Sequence, residues 1–298
     1  MLNFRAPNFN RRDQIPTPVQ PSSQAPRSKN EVMDLKVAEV LANRLHEKRF
    51  VNNPYSQADV DADLDYVMRR KKEHKKGETF QSFEQKRVAD LFEALVLWNS
   101  EQAEWLGSRA TTIKTSEYDD YKNGVDMVVE FREERSASYL GLAADVTFSS
   151  DGAVIAKKFA SLREQIKRGT LAQVKYFHSD HTHFDGQLSK LPEVVIGVSK
   201  GMVLDLARLW TDGKHQDLAN HKVGIMFLRQ IEAQLRVFAE YAESMHQTEV
   251  ARIYADRLAL IQEILAEKAE LVNKLGITNE TDPVHLEIMK FVENWSRY

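Results

Sequence analysis

The chain has 298 residues, 42% hydrophobic and 29% charged, with a formal net charge of −3. These values are ordinary for a globular protein and exclude a collagenous or largely disordered chain. With no cysteine, disulfides, thiol nucleophiles and cysteine zinc sites are excluded as well. No apolar run approaches the roughly 18 residues that a membrane span needs. The opening MLNFRAPNFNRRDQ lacks the apolar stretch of a secretory signal. No membrane association and a cytoplasmic location are therefore expected. The near-neutral balance gives no global pull toward nucleic acid, so such binding has to come from local clusters or a bound cation.

Residues 1–29 hold five of the eight prolines and five Lys/Arg against the single Asp13. That composition predicts a basic, disordered tail. Residues 30–80 predict added helices. Met33, Val37, Val40, Leu41 and Leu45 follow helical spacing, and Asn52-Asn53-Pro54 breaks it. A second helix starts near Ser56 as N-cap and runs through Val60, Leu64 and Val67 into the basic run Arg69–Lys76. The run reads as a solvated helix end favoured by the dipole, with contact to a phosphate backbone as the alternative. A longer helix is predicted over 81–106, with Val88, Leu91, Phe92, Leu95, Val96 and Trp98 on its apolar face and Gly107 at its end.

Nine of the twelve glycines lie between 107 and 213, with β-branched runs between them. Strands are predicted at 110–115, 125–131 and 139–148, a helix at 153–168, strands at 173–177 and 194–198, and a helix at 202–210. The expected fold over 81–213 is α/β, a mixed central sheet in α-β-β-β-α-β-β order flanked by helices. Residues 214–298 predict a helical region. Apolar spacing over 223–244 and 249–275 gives an antiparallel hairpin, and Asp282-Pro283 starts a last short helix. A homodimer, if one forms, is expected through these C-terminal helices.

Two aspartates stand where strands put unusual chemistry. Asp126 follows Asn123-Gly124 at the start of VDMVVEF, and Asp145 lies inside the apolar run LGLAADVTF. A carboxylate in a strand core costs several kcal/mol of desolvation or shifts its pKa, at about that scale, unless something pairs with it. If the strands pair, both carboxylates reach one end of the sheet, where a divalent cation would offset their repulsion. Oxygen ligands suit Mg²⁺ or Mn²⁺. The plain structural alternatives are an Asn-Gly turn for Asp126 and a buried ion pair for Asp145.

This element order with these two acids resembles the PD-(D/E)XK nuclease superfamily, over roughly residues 81–210. The resemblance implies a restriction-endonuclease-like core, metal-dependent hydrolysis of phosphodiester bonds, and DNA or RNA as partner. It implies that Asp126 is the second-strand Asp and that Asp145-Val146-Thr147 stands at (D/E)-x-K, matching in its first position only. Glu93, beside the apolar face of its helix, is the expected helix acid and third metal ligand; Glu84, Glu101 and Glu104 are the alternatives. Thr147 cannot supply the lysine's charge, so Lys157 or Lys158 on the following helix is expected to take its place, with Lys175 a weaker substitute. If no lysine reaches the site, the alternative is a catalytically inactive nuclease-like fold serving as a nucleic-acid-binding or protein-interaction module. A wholly helical scaffold is the reading that remains if the central strands are misassigned.

Other clusters read more simply. Ser116–Asp120 is an acidic loop from which Asp119 or Asp120 could reach a metal, and Glu130 shares the strand parity of Asp126 without reaching the site. His178–Asp185 reads as a polar loop with a zinc-like composition but no recognised spacing. Gly197–Gly201 reads as a glycine turn at a strand-to-helix junction, where a phosphate cradle is the less specific reading.

Overall fold

The computed structural model describes residues 28–76, 79–133, 136–147, 152–276 and 281–295, without the side chains of 142–147. The expected basic tail falls almost wholly outside the described residues.

Helix α1 (Lys29–Leu41) begins with a reciprocal cap: Ser28 Oγ accepts from the Glu31 N–H while the Glu31 carboxylate accepts from Ser28 N–H. A 3-10 turn at Glu47–Phe50 follows. Helix α2 (Gln57–Lys76) starts as expected at Ser56, whose Oγ accepts from Asp59 N–H at 3.2 Å. Helix α3 (Phe80–Gln102) ends four residues before the predicted limit, because Ala103 and Glu104 turn the chain before Gly107. Then come β1 (Ala110–Lys114), α4 (Glu117–Asn123), β2 (Met127–Arg132), β3 (Ala137–Thr147) and α5 (Ala153–Lys167). They are followed by β4 (Ala172–Ser179), β5 (Phe184–Leu191), β6 (Glu193–Ser199), α6 (Lys200–Thr211) and α7 (His215–Ala219). The C-terminal region consists of α8 (Lys222–Ser244), α9 (Thr248–Glu267), α10 (Ala269–Leu275) and α11 (Pro283–Glu293).

The fold is mixed α/β, so the wholly helical reading does not hold. The central sheet has the order β1-β2-β3-β6. Its first three strands form the expected antiparallel meander, and β6 returns parallel to β3 after the crossover through α5. The fourth predicted strand corrects the expectation. β4 is not in the central sheet but pairs antiparallel with β5 in a two-stranded sheet. β5 is not among the predicted strands, and the loop read at His178–Asp185 takes in only its first two residues. Its sequence, FDGQLSKL, offers few β-branched residues, and most of it is at least partly exposed.

The alternation of strand side chains splits the apolar residues between two layers. Met127, Val129, Phe131 and Leu140 join the large core built with α3, α5, α6 and α8, which includes Phe92, Phe159, Trp210 and Phe227. On the opposite face, Val128, Ile113 and Tyr139 pack with Val174, Phe177 and Leu191 of the β4–β5 hairpin. Each such fully buried Leu, Val or Phe contributes roughly 1.5–3 kcal/mol. Trp105 closes the large core: its Nε1 donates to Leu218 O at 2.9 Å, and its ring lies against α8 at Gly224. A Cβ at 224 would sit 3.0 Å from Trp105 Cδ1, so only glycine fits without displacing the ring.

The free edge of β6 is covered by two glutamines of α8. Gln230 donates to Gly197 O at 2.9 Å and accepts from Gly197 N at 3.0 Å. Gln234 donates to Val195 O at 2.7 Å and accepts from Val195 N at 2.9 Å. The two primary amides act as a substitute strand and leave no open ladder at these positions.

Candidate active site at one end of the meander

Lys114 ends β1, Asp126 immediately precedes β2, and α4 connects them, so all three belong to one end of the sheet. The Thr115 N–H donates to Asp126 O at 3.4 Å and extends the pairing past Lys114. The loop expected around 116–120 is mostly α4. Ser116 is its N-cap, accepting from Asp119 N–H at 3.1 Å, and Gly124 at φ +73° closes it. Ser116 with acids in the following turn was a readable helix-start signal.

Glu93 projects from α3 toward this end. Its Oε2 lies 2.7 Å from Lys114 Nζ, whose side chain is 1% exposed. Lys114 Nζ is also 3.7 Å from Asp120 Oδ2, and Arg44 reaches Asp120 at 3.0 Å and Glu117 at 3.3 Å. Lys71 completes the series at 2.6 Å from Glu117. Charges thus alternate from the buried Glu93–Lys114 pair out to the half-exposed Lys71.

Negative charge predominates at the inner end. Burial pushes the Asp126 carboxyl up to about 7; Glu93 and Asp120 push the same way, against the attraction of Lys158 and Lys114. Burial and then the Asp126 charge raise Glu193, at the start of β6, to about 8, with Lys158 opposing. Burial raises Glu93 and Asp90 on α3 as well. Burial works against the charge on Lys114, but Glu93, Asp120 and Asp126 more than offset it and its pKa is raised. Burial chiefly raises these carboxyls, the neighbouring acids add to it, and the same acids hold Lys114 charged.

The sequence-predicted residues fall in different places. Glu93 is the helix acid that meets this cluster. Glu84 sits near Arg87, at 4.0 Å, while Glu101 lies toward Arg132 and Glu104 is exposed past the end of α3. Of the two helix lysines, Lys158 is half-buried and acts on both Asp126 and Glu193, whereas Lys157 is exposed. Asp145 pairs with Gly197 in β3, and its side chain lies outside the described residues. Extending the Met127↔Leu142 register by one step sets position 126 across from 143, and 145 has the parity of 143. Positions 126 and 145 therefore share a sheet face by register. Among the described residues, no three carboxylate or imidazole side chains stand together as a metal-holding group.

Other candidates are committed to structure. Asp119 Oδ1 accepts from Lys175 N at 2.7 Å and Asn123 Nδ2 at 2.7 Å, and its Oδ2 accepts from Tyr176 N at 3.0 Å and Ser116 Oγ at 2.8 Å. It fastens α4 to β4. Lys175 pairs with Asp63, with its Nζ at 4.9, 5.4 and 5.3 Å from the ring centroids of Tyr55, Tyr118 and Tyr176. His178 is held by Asp185 at 2.8 Å, Asp180 at 2.6 Å and Arg49 at 2.8 Å, at the turn of the β4–β5 hairpin. At the Gly197–Gly201 junction the Asp282 carboxylate accepts from Ser199 N at 3.0 Å while capping α11 through Val284 N–H. A carboxylate of the chain itself thus takes a backbone donor that a phosphate would have used.

Sequence reasoning missed Lys114 and Glu193. Lys114 had a signal: Ala110, Thr112 and Lys114 are alternate positions of one strand, and a lysine on the inward parity requires a partner. Glu193, beside Pro192 at a strand start, had none.

No family model, curated protein or solved structure matches the chain. Among the described residues, no helix is long and apolar enough to cross a membrane.

Proposed function

We propose that the chain is a metal-dependent nuclease that hydrolyses phosphodiester bonds at the Glu93–Asp126–Lys158 end of the meander. One observation supports this reading: a helix carboxylate and a lysine from the crossover helix both act electrostatically on the pre-strand carboxylate Asp126, at one end of a three-stranded meander. In this reading Asp126, Asp145 and Glu93 hold a Mg²⁺ or Mn²⁺ ion, and the donor set, oxygen only and electrostatically under-compensated, suits such a hard cation. When bound, the cation would polarise a phosphoryl oxygen and lower the pKa of a water. Lys158 supplies the positive charge that Thr147 lacks, placed to hold a phosphate oxygen as negative charge grows on it. Lys114 restrains Glu93 through their ion pair at 2.7 Å.

The test is cleavage of labelled single- and double-stranded DNA and RNA with Mg²⁺ or Mn²⁺. Asp126→Asn and Asp145→Asn are each expected to lose at least about a hundredfold in rate, on the scale of removing one electrostatic stabiliser. Unchanged circular dichroism would show that the fold survives. Cleavage at the wild-type rate by either variant would end the proposal.

A second reading is favoured by a specific contact. Lys114 already neutralises Glu93 at 2.7 Å, as a silent nuclease-like binding module would tolerate. That reading requires no saturable Mn²⁺ binding by the wild type. The enzyme reading requires Mn²⁺ binding that Asp126→Ala removes.

A further inference from the structure

We propose that Phe80 and Phe83, with Lys72, Lys75 and Lys76, form a surface that takes an unpaired nucleic-acid strand and leads it along α3 to the carboxylate cluster. The inference rests on the nuclease reading for its destination, but its own observations are separate. Phe80 is 82% exposed and Phe83 is 53% exposed. Large aromatic side chains seldom stand this open at neighbouring helix positions without a partner. The three lysines are exposed on the last turns of α2. Lys76 and Thr79 are three residues apart in the chain, so their Cα atoms are within about 11 Å. The aromatic start of α3 and the basic end of α2 are therefore neighbours in space.

The direction of that surface is set by helix spacing. Phe83, Lys86, Asp90 and Glu93 follow at intervals of three, four and three, which puts them on one stripe of α3. Exposure falls along the stripe: Phe83 and Lys86 are exposed, Asp90 and Glu93 half-buried. Lys86 acts electrostatically on Asp90, and Asp90 on Glu93. Ten residues of helix span about 15 Å, roughly four steps of a stacked strand at 3.4 Å. At the other end, α2 is tied to the α4 side of the site by Lys71–Glu117 at 2.6 Å and by Tyr66 Oη donating to Tyr121 O at 3.4 Å.

The chemistry favours an unpaired strand. Aromatic faces without a reading code stack on any base that is free of its partner, and lysines alongside follow the backbone. A duplex offers phosphates to the lysines but no free base face to Phe80 or Phe83. A second copy of this chain could also cover the phenylalanines, but it would have to bring three more lysines against the same surface.

The experiment measures fluorescence anisotropy of a labelled single-stranded oligonucleotide and its duplex, with EDTA, using the full chain carrying Asp126→Asn so that no substrate is consumed. Adding Phe80→Ala with Phe83→Ala is expected to weaken single-strand binding at least about fivefold, and duplex binding by less than twofold. Lys72→Gln, Lys75→Gln and Lys76→Gln together should reduce the slope of log K against log salt by about 2 for the single strand. Single-strand affinity unchanged by the phenylalanine pair overturns the proposal. So does concentration-dependent self-association that this pair abolishes while oligonucleotide binding stays intact. Phenylalanine-dependent binding by a chain that cleaves nothing with Mg²⁺ or Mn²⁺ upholds the strand surface and refutes the nuclease reading alone.

Discussion

Replacing Asp126 by Asn is expected to change how stability depends on pH. An aspartate in the unfolded chain titrates at 3.8, and Asp126 in the fold titrates at about 7. Between those values the folded state keeps a proton that the unfolded state has released. A raised folded pKa therefore gives a contribution that is fully present below pH 3.8 and is lost as pH rises to about 7. At about 1.4 kcal/mol per pH unit the whole span is about 4 kcal/mol, of which about 3 kcal/mol falls between pH 5 and pH 8. These are upper limits, because the carboxylate keeps part of its surface in solvent. Asparagine carries no such proton, and its neutrality also removes one cause of the raised Glu193 pKa. Urea midpoints measured at intervals from pH 5 to pH 8 in EDTA should therefore fall more steeply for the wild type than for Asp126→Asn. Parallel profiles for the two proteins would refute the raised pKa of Asp126. Excess Mg²⁺ at pH 8 should then raise the wild-type midpoint selectively, since a ligand that binds only the folded state stabilises it by mass action.

Three further substitutions probe other links. Lys158→Met should lose at least about a hundredfold in cleavage rate and Lys157→Met less than about threefold, because only Lys158 acts on Asp126 and Glu193. Equal losses would remove the assignment. Gln230→Leu with Gln234→Leu strips partners from the N–H and C=O of both Val195 and Gly197 and should cost about 2–4 kcal/mol by urea unfolding. Faster hydrogen exchange at those two amides would locate the loss. Asp119→Ala removes the acceptor for Lys175 N–H and Tyr176 N–H and should cost about 3 kcal/mol, while leaving Mn²⁺ binding unaltered if Asp119 is purely structural.

The central meander, the crossover helix and the C-terminal hairpin were legible because each carries a long run of one periodicity. The sequence over Met127–Phe131 and Tyr139–Thr147 is largely apolar, and α8 repeats apolar residues at helical spacing over six turns. The β4–β5 hairpin was not legible as a separate layer. Gln173–Phe177 has the composition of a strand whichever sheet it joins, and its only partner, β5, hides its strand character in Gly186, Gln187, Ser189 and Lys190. What sends β4 away from the central sheet is tertiary: Asp119 takes its Lys175 and Tyr176 amides, and Val174 and Phe177 fill the layer against Val128. Glu93 and the pair Lys157 and Lys158 were nominated through the resemblance, and which lysine lies toward Asp126 depends on the orientation of α5, whose Ile155, Phe159, Leu162 and Ile166 face the core.

Charge balance connects the missing motif lysine to the rest of the site. Arg44 answers Asp120 at 3.0 Å, so the inner cluster sets Glu93, Asp126 and Glu193 against Lys114 and Lys158. That is one formal negative charge in surplus, and it adds to the burial that chiefly raises the carboxyl pKa values. On the proposed reading the acid at position 145, which shares a sheet face with 126 by register, brings the surplus to two. One divalent cation would cancel it. A lysine at 147 would sit on that same face by parity. On the proposed reading, the positive charge missing at 147 comes from Lys158 on α5, which acts on both Asp126 and Glu193.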